Sequence, residues 1–274
     1  MQQPCCGCHS RAYSWSYPHR SSHPLNHVST PVTYRDRLLD RYRLLYNWLP
    51  ETDRVLDIGC GNGIYTQWLA KKAEKAVGID HNEKNLNWGK TEFPHCEFVL
   101  SNGESLPFSD DSFGAVMLTE VLEHTRDDRA TLQEIARVLR PGGTLLLSTP
   151  HRGLFAGLDP DNVTNSFFSG ISRLRIPKPG GGRFYQGFRF DWHRHYSERE
   201  LRGLLGDDFV VEEVTFGGFL LYPLLYGVEN VIDAFGKKRS YWQDYRVLRQ
   251  LRGLDFDLNF GKLSYNIAIR ARRK

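Results

Sequence analysis

Residues 55–63 read Val-Leu-Asp-Ile-Gly-Cys-Gly-Asn-Gly: an apolar run with one carboxylate, Asp57, that breaks into three alternating glycines, Gly59, Gly61 and Gly63. A near-continuous apolar run of this kind is how a strand buried on both faces reads, and such strands belong to parallel sheets covered by helices. Glycines follow because the chain must turn sharply and let a ligand approach bare backbone. A helix starting near Asn62 would then point its free N–H groups into the same crevice. The end of this strand is therefore the expected seat of a small cofactor.

The glycine spacing also narrows the ligand. A dinucleotide fingerprint, G-x-G-x-x-G, counted from Gly59 requires glycine where this chain has Ile64, so the pattern fails at its third position. Asp57 inside the turn would repel a pyrophosphate, whereas it suits a ligand carrying an ammonium group. A cationic, amino-acid-like cofactor fits better than a phosphate.

Elements alternate around this turn. Leu38, Tyr42, Leu45, Tyr46 and Leu49 recur at helical spacing over 34–49 and stop at Pro50. Strands then follow at Val55–Gly59, Ala76–Asp80, Glu97–Leu100, Gly114–Thr119 and Thr144–Ser148, with helices from Asn62, from Asn82 and over Asp128–Leu139. The alternation predicts a parallel sheet wrapped by helices. Ser197 with Glu200 forms a capping box for a helix through Leu205. Phe209–Phe216 and Leu263–Arg270 read as two more strands, the second loosely alternating and suited to an edge or antiparallel place.

Four stretches, taken in order across about residues 52–150, resemble the class I S-adenosylmethionine-dependent methyltransferases. Residues 55–63 resemble the family's first motif, whose glycines pack on the methionine part of the cofactor. Gly78-Ile-Asp80 ends a strand with the acidic residue that the resemblance assigns to the ribose hydroxyls. Asn102-Gly-Glu-Ser-Leu-Pro-Phe resembles the segment along the adenine, with Asn102 replacing the usual Asp and Gly103 offering a backbone N–H. Leu139-Arg-Pro-Gly-Gly-Thr resembles the turn into the closing strand. The resemblance implies a three-layer α/β sandwich, with a mostly parallel seven-stranded sheet and an antiparallel last strand, the Rossmann-like methyltransferase fold. It implies S-adenosyl-L-methionine as cofactor, held by Asp57, Gly59, Gly61, Gly63, Asp80, Asn102, Gly103 and Thr119.

Thr119-Glu-Val-Leu-Glu-His124 lies where the family places the reacting methyl group. It lacks the Asn/Asp-Pro-Pro-Tyr stretch of adenine and glutamine N-methyltransferases and the cysteine used on pyrimidine C5. Glu120, Glu123 and His124 resemble a run that holds a divalent cation in ubiquinone-type O-methyltransferases, while helix-start polarity accounts for them equally; no metal is assigned. His195, in Asp191-Trp-His-Arg-His-Tyr-Ser, and His124 are the candidate proton acceptors, since neutral imidazole takes a proton near neutral pH.

The chain's 274 residues divide into an N-terminal tail over 1–30 and one domain over 31–274. That domain carries a lid-like insertion at 151–192, rich in Gly, Pro, Phe and Arg, and a helical insertion at 219–252. Aromatic and arginine residues in the lid point to an apolar, small-molecule or lipid-like acceptor, and an anionic one would meet Arg152 and its neighbours with a carboxylate or phosphate. Residues 237–274 hold 11 Lys or Arg against 3 Asp, which keeps two other readings open: an RNA or protein methyltransferase using that basic end, or a cofactor-binding partner subunit without turnover. No nucleic-acid module accompanies it, so a nucleic-acid partner is disfavoured. Cys5, Cys6 and Cys8 lack a second ligand pair at zinc spacing, and the five cysteines form no disulfide framework. Residues 1–30 also lack the order of a secretory signal, and the Phe219–Val228 stretch is too short to span a bilayer, though it suits contact with a membrane surface. A cytoplasmic protein is expected.

Overall fold

The computed structural model describes residues 40–153, 156, 194–219, 224–225, 251 and 253–274. The expected tail 1–30, nearly all of the insertion 151–192 and most of the helical insertion 219–252 lie outside the described residues.

Seven strands form one sheet: β1 (Thr52–Ile58), β2 (Ala73–Asp80), β3 (Glu97–Leu100), β4 (Phe113–Thr119), β5 (Leu139–Pro150), β6 (Phe209–Gly217) and β7 (Asn266–Arg273). Their order across the sheet is β3-β2-β1-β4-β5-β7-β6. Every pairing is parallel except those of β7, which runs antiparallel to both β5 and β6. The seven-stranded α/β sandwich read from the sequence is the observed fold. Strand order reverses between β1 and β4, and in open α/β sheets a ligand crevice forms at such a reversal, beyond the strands' carboxyl ends.

The helices that cover the sheet are α1 (Asp40–Trp48), α2 (Thr66–Leu69), α3 (Glu83–Glu92), α4 (Asp128–Val138) and α5 (Glu198–Leu205). Strand residues alternate between two cores because successive side chains leave opposite faces. Leu56, Ile58, Val116, Leu118, Leu145 and Leu147 pack toward Leu132 and Ile135 of α4 and Leu201 and Leu205 of α5. Val55, Ala76, Ala115, Met117 and Leu146 pack toward Leu45 of α1, Leu69 of α2 and Leu86 of α3. Asn82 caps α3 by accepting from Lys84 and Asn85 N–H, and both arms of the Ser197–Glu200 capping box are formed.

Three sequence expectations change. The helix after β1 begins at Thr66, not near Asn62. Gly63 has φ +80, outside the right-handed helical region, and its N–H closes a turn on the Cys60 carbonyl, so no helix can start before it. β5 starts at Leu139, directly after α4, because Leu139 pairs with Phe113 before a register shift absorbs the Gly142-Gly143 corner. Finally, β7 is internal and spans Asn266–Arg273, while Gly261–Leu263 forms a 3-10 turn. Ile267, Ala268 and Ile269 are each buried to 1% exposure or less, which is the environment of a central strand. β6 is the edge, and Glu212 and Glu213 on it pair with Arg270 and Arg272 of β7.

Candidate cofactor site at the strand ends

The crevice is built from the ends of β1, β2 and β4. Asp57 and Ile58 of β1 stand opposite Gly78 and Ile79 of β2 and Met117 and Leu118 of β4, so the exits of these strands are level. The chain leaves β1 through Gly59 (φ +73), Gly61 (φ +55) and Gly63 (φ +80). Gly59 and Cys60 both donate N–H to the Ile79 carbonyl at 2.9 Å, which holds the turn against β2.

Two of these glycines and the third have different surroundings. A Cβ on Gly59 would collide with Val121, and one on Gly63 would collide with the Phe98 ring, each closer than 3.0 Å. A Cβ on Gly61 would meet nothing within 4 Å. Gly59 and Gly63 are therefore glycines of packing, and Gly61 is the one that opens to the crevice.

Asp80, at the end of β2 and 9% exposed, faces this opening. Its Oδ2 accepts the Gly61 N–H at 2.9 Å and its Oδ1 accepts the Asn82 N–H at 2.8 Å. A carboxylate offers about four acceptor sites, so two remain for hydroxyl donors.

Asp57 sits beneath the turn at 3% exposure, and its Oδ2 accepts from Thr66 Oγ1 at 2.6 Å. Burial, with help from the neighbouring Asp80 charge and against the Thr66 hydrogen bond, pushes its carboxyl up to about 7. The carboxylate that the sequence offers to a ligand ammonium is thus covered by the turn and tied to α2 through Thr66. Burial likewise raises the Cys60 thiol, which packs beside Gly78 and is not a nucleophile there.

Thr119 closes β4 at 6% exposure, and its Oγ1 is buried without a hydrogen-bond partner among the described residues. Buried hydroxyls are normally satisfied, so this orphan at the crevice invites a ligand atom. Gly103 lies over Ile58 and Thr131, whereas Asn102 is exposed and spends its Oδ1 on the Ser105 N–H at 3.0 Å. One lone pair of that amide oxygen is left for a ligand.

The candidate proton acceptors and metal donors are more scattered. His124 is on a 3-10 turn (Leu122–His124), 4.0 Å from Glu123. His195 lines a groove with Asp128, Arg152, Arg194 and Glu200 that shares no residue with the glycine turn. Arg152 is engaged by Glu200 at 2.9 Å. Glu120 turns toward Ser148 and Asn266, while Glu123 accepts from Thr149 at 3.1 Å. Among the described residues no three His, Cys, Asp or Glu side chains come together as metal donors.

Several residues at the site carry no signal in the sequence. Thr66, Ser148 and Asn266 are common polar residues until the fold brings them to Asp57 and Glu120. Arg194 reaches the carbonyls of Leu122, Glu123 and Thr125 and the Asp128 carboxylate, fastening the segment before α5 onto the turn after β4. His151, 3% exposed, has Nδ1 3.0 Å from the Ser264 carbonyl, and burial holds its imidazole below the usual histidine range. A carbonyl can only accept, so Nδ1 carries the proton.

Comparison with known proteins agrees with this geometry. Residues 56–147 match the family model described as a methyltransferase domain. A probable S-adenosylmethionine-dependent methyltransferase of Mycolicibacterium smegmatis is 35% identical over 102 residues, covering 37% of this chain and 40% of that protein. A demethylmenaquinone methyltransferase of Corynebacterium efficiens is 38% identical over 109 residues, 39% of this chain and 46% of that protein. The matched segment thus spans less than half the length of these curated relatives. Among solved structures, the (4+2)-cyclase SpnF superposes with a TM-score of 0.55 at 18% identity, covering 85% of this chain and 80% of that one. That likeness concerns the fold, which by itself does not name a reaction. The matched domain, the strand order and the glycine turn together make residues 56–147 similar to the methyltransferase domain of class I S-adenosylmethionine-dependent methyltransferases.

Proposed function

We propose that this chain transfers a methyl group from S-adenosylmethionine to a small, largely apolar acceptor. The observation that carries the reading is the convergence of Gly61, open on its crevice side, with the remaining acceptor capacity of Asp80 and the orphaned Thr119 hydroxyl at one switch point of the sheet. These groups suit the cofactor: Asp80 would take the ribose hydroxyls, Gly61 would let the methionine part lie on bare backbone, and Gly103 with Asn102 would border the adenine. When bound, the cofactor supplies an electrophilic methyl group on a sulfonium centre.

The protein's own work is to bind, orient and exclude water, because a pre-activated methyl group needs alignment more than a strong base. Asp57 contributes the negative charge under the turn, and a cationic ligand above it would favour the ionised form. Similarity to the Corynebacterium demethylmenaquinone methyltransferase supports an apolar ring-bearing acceptor. The RNA or protein reading draws less support, because Arg270, Arg272 and Arg273 of the basic end are paired with Glu213, Glu212 and Asp111. No helix of the described residues is long and apolar enough to cross a membrane.

Thermal unfolding with S-adenosylhomocysteine tests the proposal. At about 100 times Kd a ligand adds roughly 2.7 kcal/mol, a rise of roughly 5–10 °C for a domain of this size. Asp80→Ala should remove most of that rise. Equal stabilisation of the wild type by NADH would refute the cofactor assignment.

A further inference from the structure

Next to Thr119 stands Glu120, whose φ of +53 is in the left-handed region that side chains other than glycine rarely adopt. Such conformations persist where the surroundings hold them, and they cluster at functional sites. Three groups hold this one, and all converge on Oε1: Ser148 Oγ donates at 2.9 Å, Asn266 Nδ2 donates at 2.8 Å, and Arg41 Nε lies at 3.5 Å. Ser148 and Asn266 are completely buried. Oε2 has no partner among the described residues, so the carboxylate is aimed and half of it is left unused.

The adjoining amide repeats the pattern. A carboxylate only accepts, which fixes Nδ2 of Asn266 toward Glu120 and leaves Oδ1 as the outer atom. That Oδ1 is buried and without a hydrogen-bond partner. It belongs to the same amide that touches Glu120, so this hydrogen-bonded pair carries an unfilled acceptor atom on each of its two side chains. Val121 packs on Gly59, which sets this pair directly beside the cofactor turn.

We propose that Glu120 Oε2 and Asn266 Oδ1 form the polar subsite for the methyl acceptor, and that they select an acceptor presenting an O–H or N–H at the atom to be methylated. The inference rests on the methyl-transfer reading above. Both orphan atoms can only accept, so their ligand must donate. A carbon nucleophile offers them nothing, whereas an amino group can donate to both and a hydroxyl to one of them, each held with a lone pair free for the methyl carbon. The strained backbone at Glu120 is what turns the carboxylate from the sheet toward this position.

The experiment uses the full chain, cofactor labelled with tritium in the methyl group, and an organic extract of the source cells as the probe. One half of the extract is treated with acetic anhydride, which caps hydroxyl and amino donors. Affinity for S-adenosylhomocysteine is measured in parallel by calorimetry. The wild type should label the untreated extract and fail on the acetylated one. Glu120→Gln and Asn266→Leu should each lower labelling about tenfold or more, the value of one lost charged or buried hydrogen bond, with cofactor affinity unchanged. Equal labelling of both extracts, or wild-type labelling by both variants, overturns the subsite. Loss of S-adenosylhomocysteine binding in both folded variants overturns it too, by assigning the pair to the cofactor. A wild type that binds S-adenosylhomocysteine and labels neither extract overturns the methyl-transfer reading and the subsite together.

Discussion

Gly61 and Gly63 offer a matched pair of substitutions whose effects should separate. Both have positive φ, +55 and +80, so an alanine at either costs about 1–2 kcal/mol in backbone energy. Only Gly63 adds a collision. Its Cβ would fall closer than 3.0 Å to two carbons of the Phe98 ring. That ring cannot step aside, because it is 5% exposed and also lies 3.1 Å from the positions that Cβ atoms on Gly78 and Gly89 would take. Overpacking of this kind costs about 1–3 kcal/mol more. Gly63→Ala should therefore lose roughly 2–5 kcal/mol, a fall in Tm of roughly 5–20 °C for a domain of this size.

Gly61→Ala meets nothing within 4 Å and should lose only the backbone part, roughly 2–8 °C. Its methyl group enters the space above Asp80 that the cofactor needs, so S-adenosylhomocysteine affinity should fall even though the fold survives. Thermal unfolding and calorimetric titration of the two variants provide the measurement. If Gly61→Ala binds as the wild type does, the crevice is not where the cofactor lies. If it unfolds as early as Gly63→Ala, the division into a packing glycine and a ligand glycine is wrong.

Three further substitutions, one of them a control, test the supports of the site. Asp57 titrates near 7 in the fold against about 3.9 in an unfolded chain, so its contribution is fully present below about pH 4, declines as pH rises and is lost above about 7, a swing of roughly 4 kcal/mol. Urea midpoints from pH 4 to 8 should show that decline relative to Asp57→Asn, and parallel curves for the two proteins would contradict the burial argument. Arg194→Ala should lower the urea midpoint by the equivalent of about 1–3 kcal/mol, since it frees three carbonyls and Asp128. Arg202→Ala, which loses an exposed pair with Glu198, should cost less than about 0.5 kcal/mol; equal losses would show that Arg194 fastens nothing.

Local chemistry made much of this protein legible before its fold was known. The β1 run, the caps at Asn82 and Ser197 and the helix over 128–138 follow from residues within a few positions of each other. Asp80 was legible as a strand-end acid. The order of the last two strands was not, because Ser264 to Ile269 alternate too loosely to show which faces are buried. Pairing with β5 decides that, and β5 is over a hundred residues away in sequence.

The site's chemistry divides along the same line. Residues that touch the cofactor crevice lie in short continuous runs because one strand and its turn can present several of them at once. The Glu120 subsite has no such run: its members come from α1, the exit of β4, β5 and β7, and meet only because β7 inserts between β5 and β6. Asn266 at the start of a strand with no obvious partner carries no motif, yet its position opposite Pro150 places its amide on Glu120. A cofactor turn can thus be shared by many chains of this fold while the acceptor subsite differs in each, since the first depends on adjacent residues and the second on how distant strands are ordered. In this chain the two meet between Thr119 and Glu120, where a buried hydroxyl and an aimed carboxylate stand side by side.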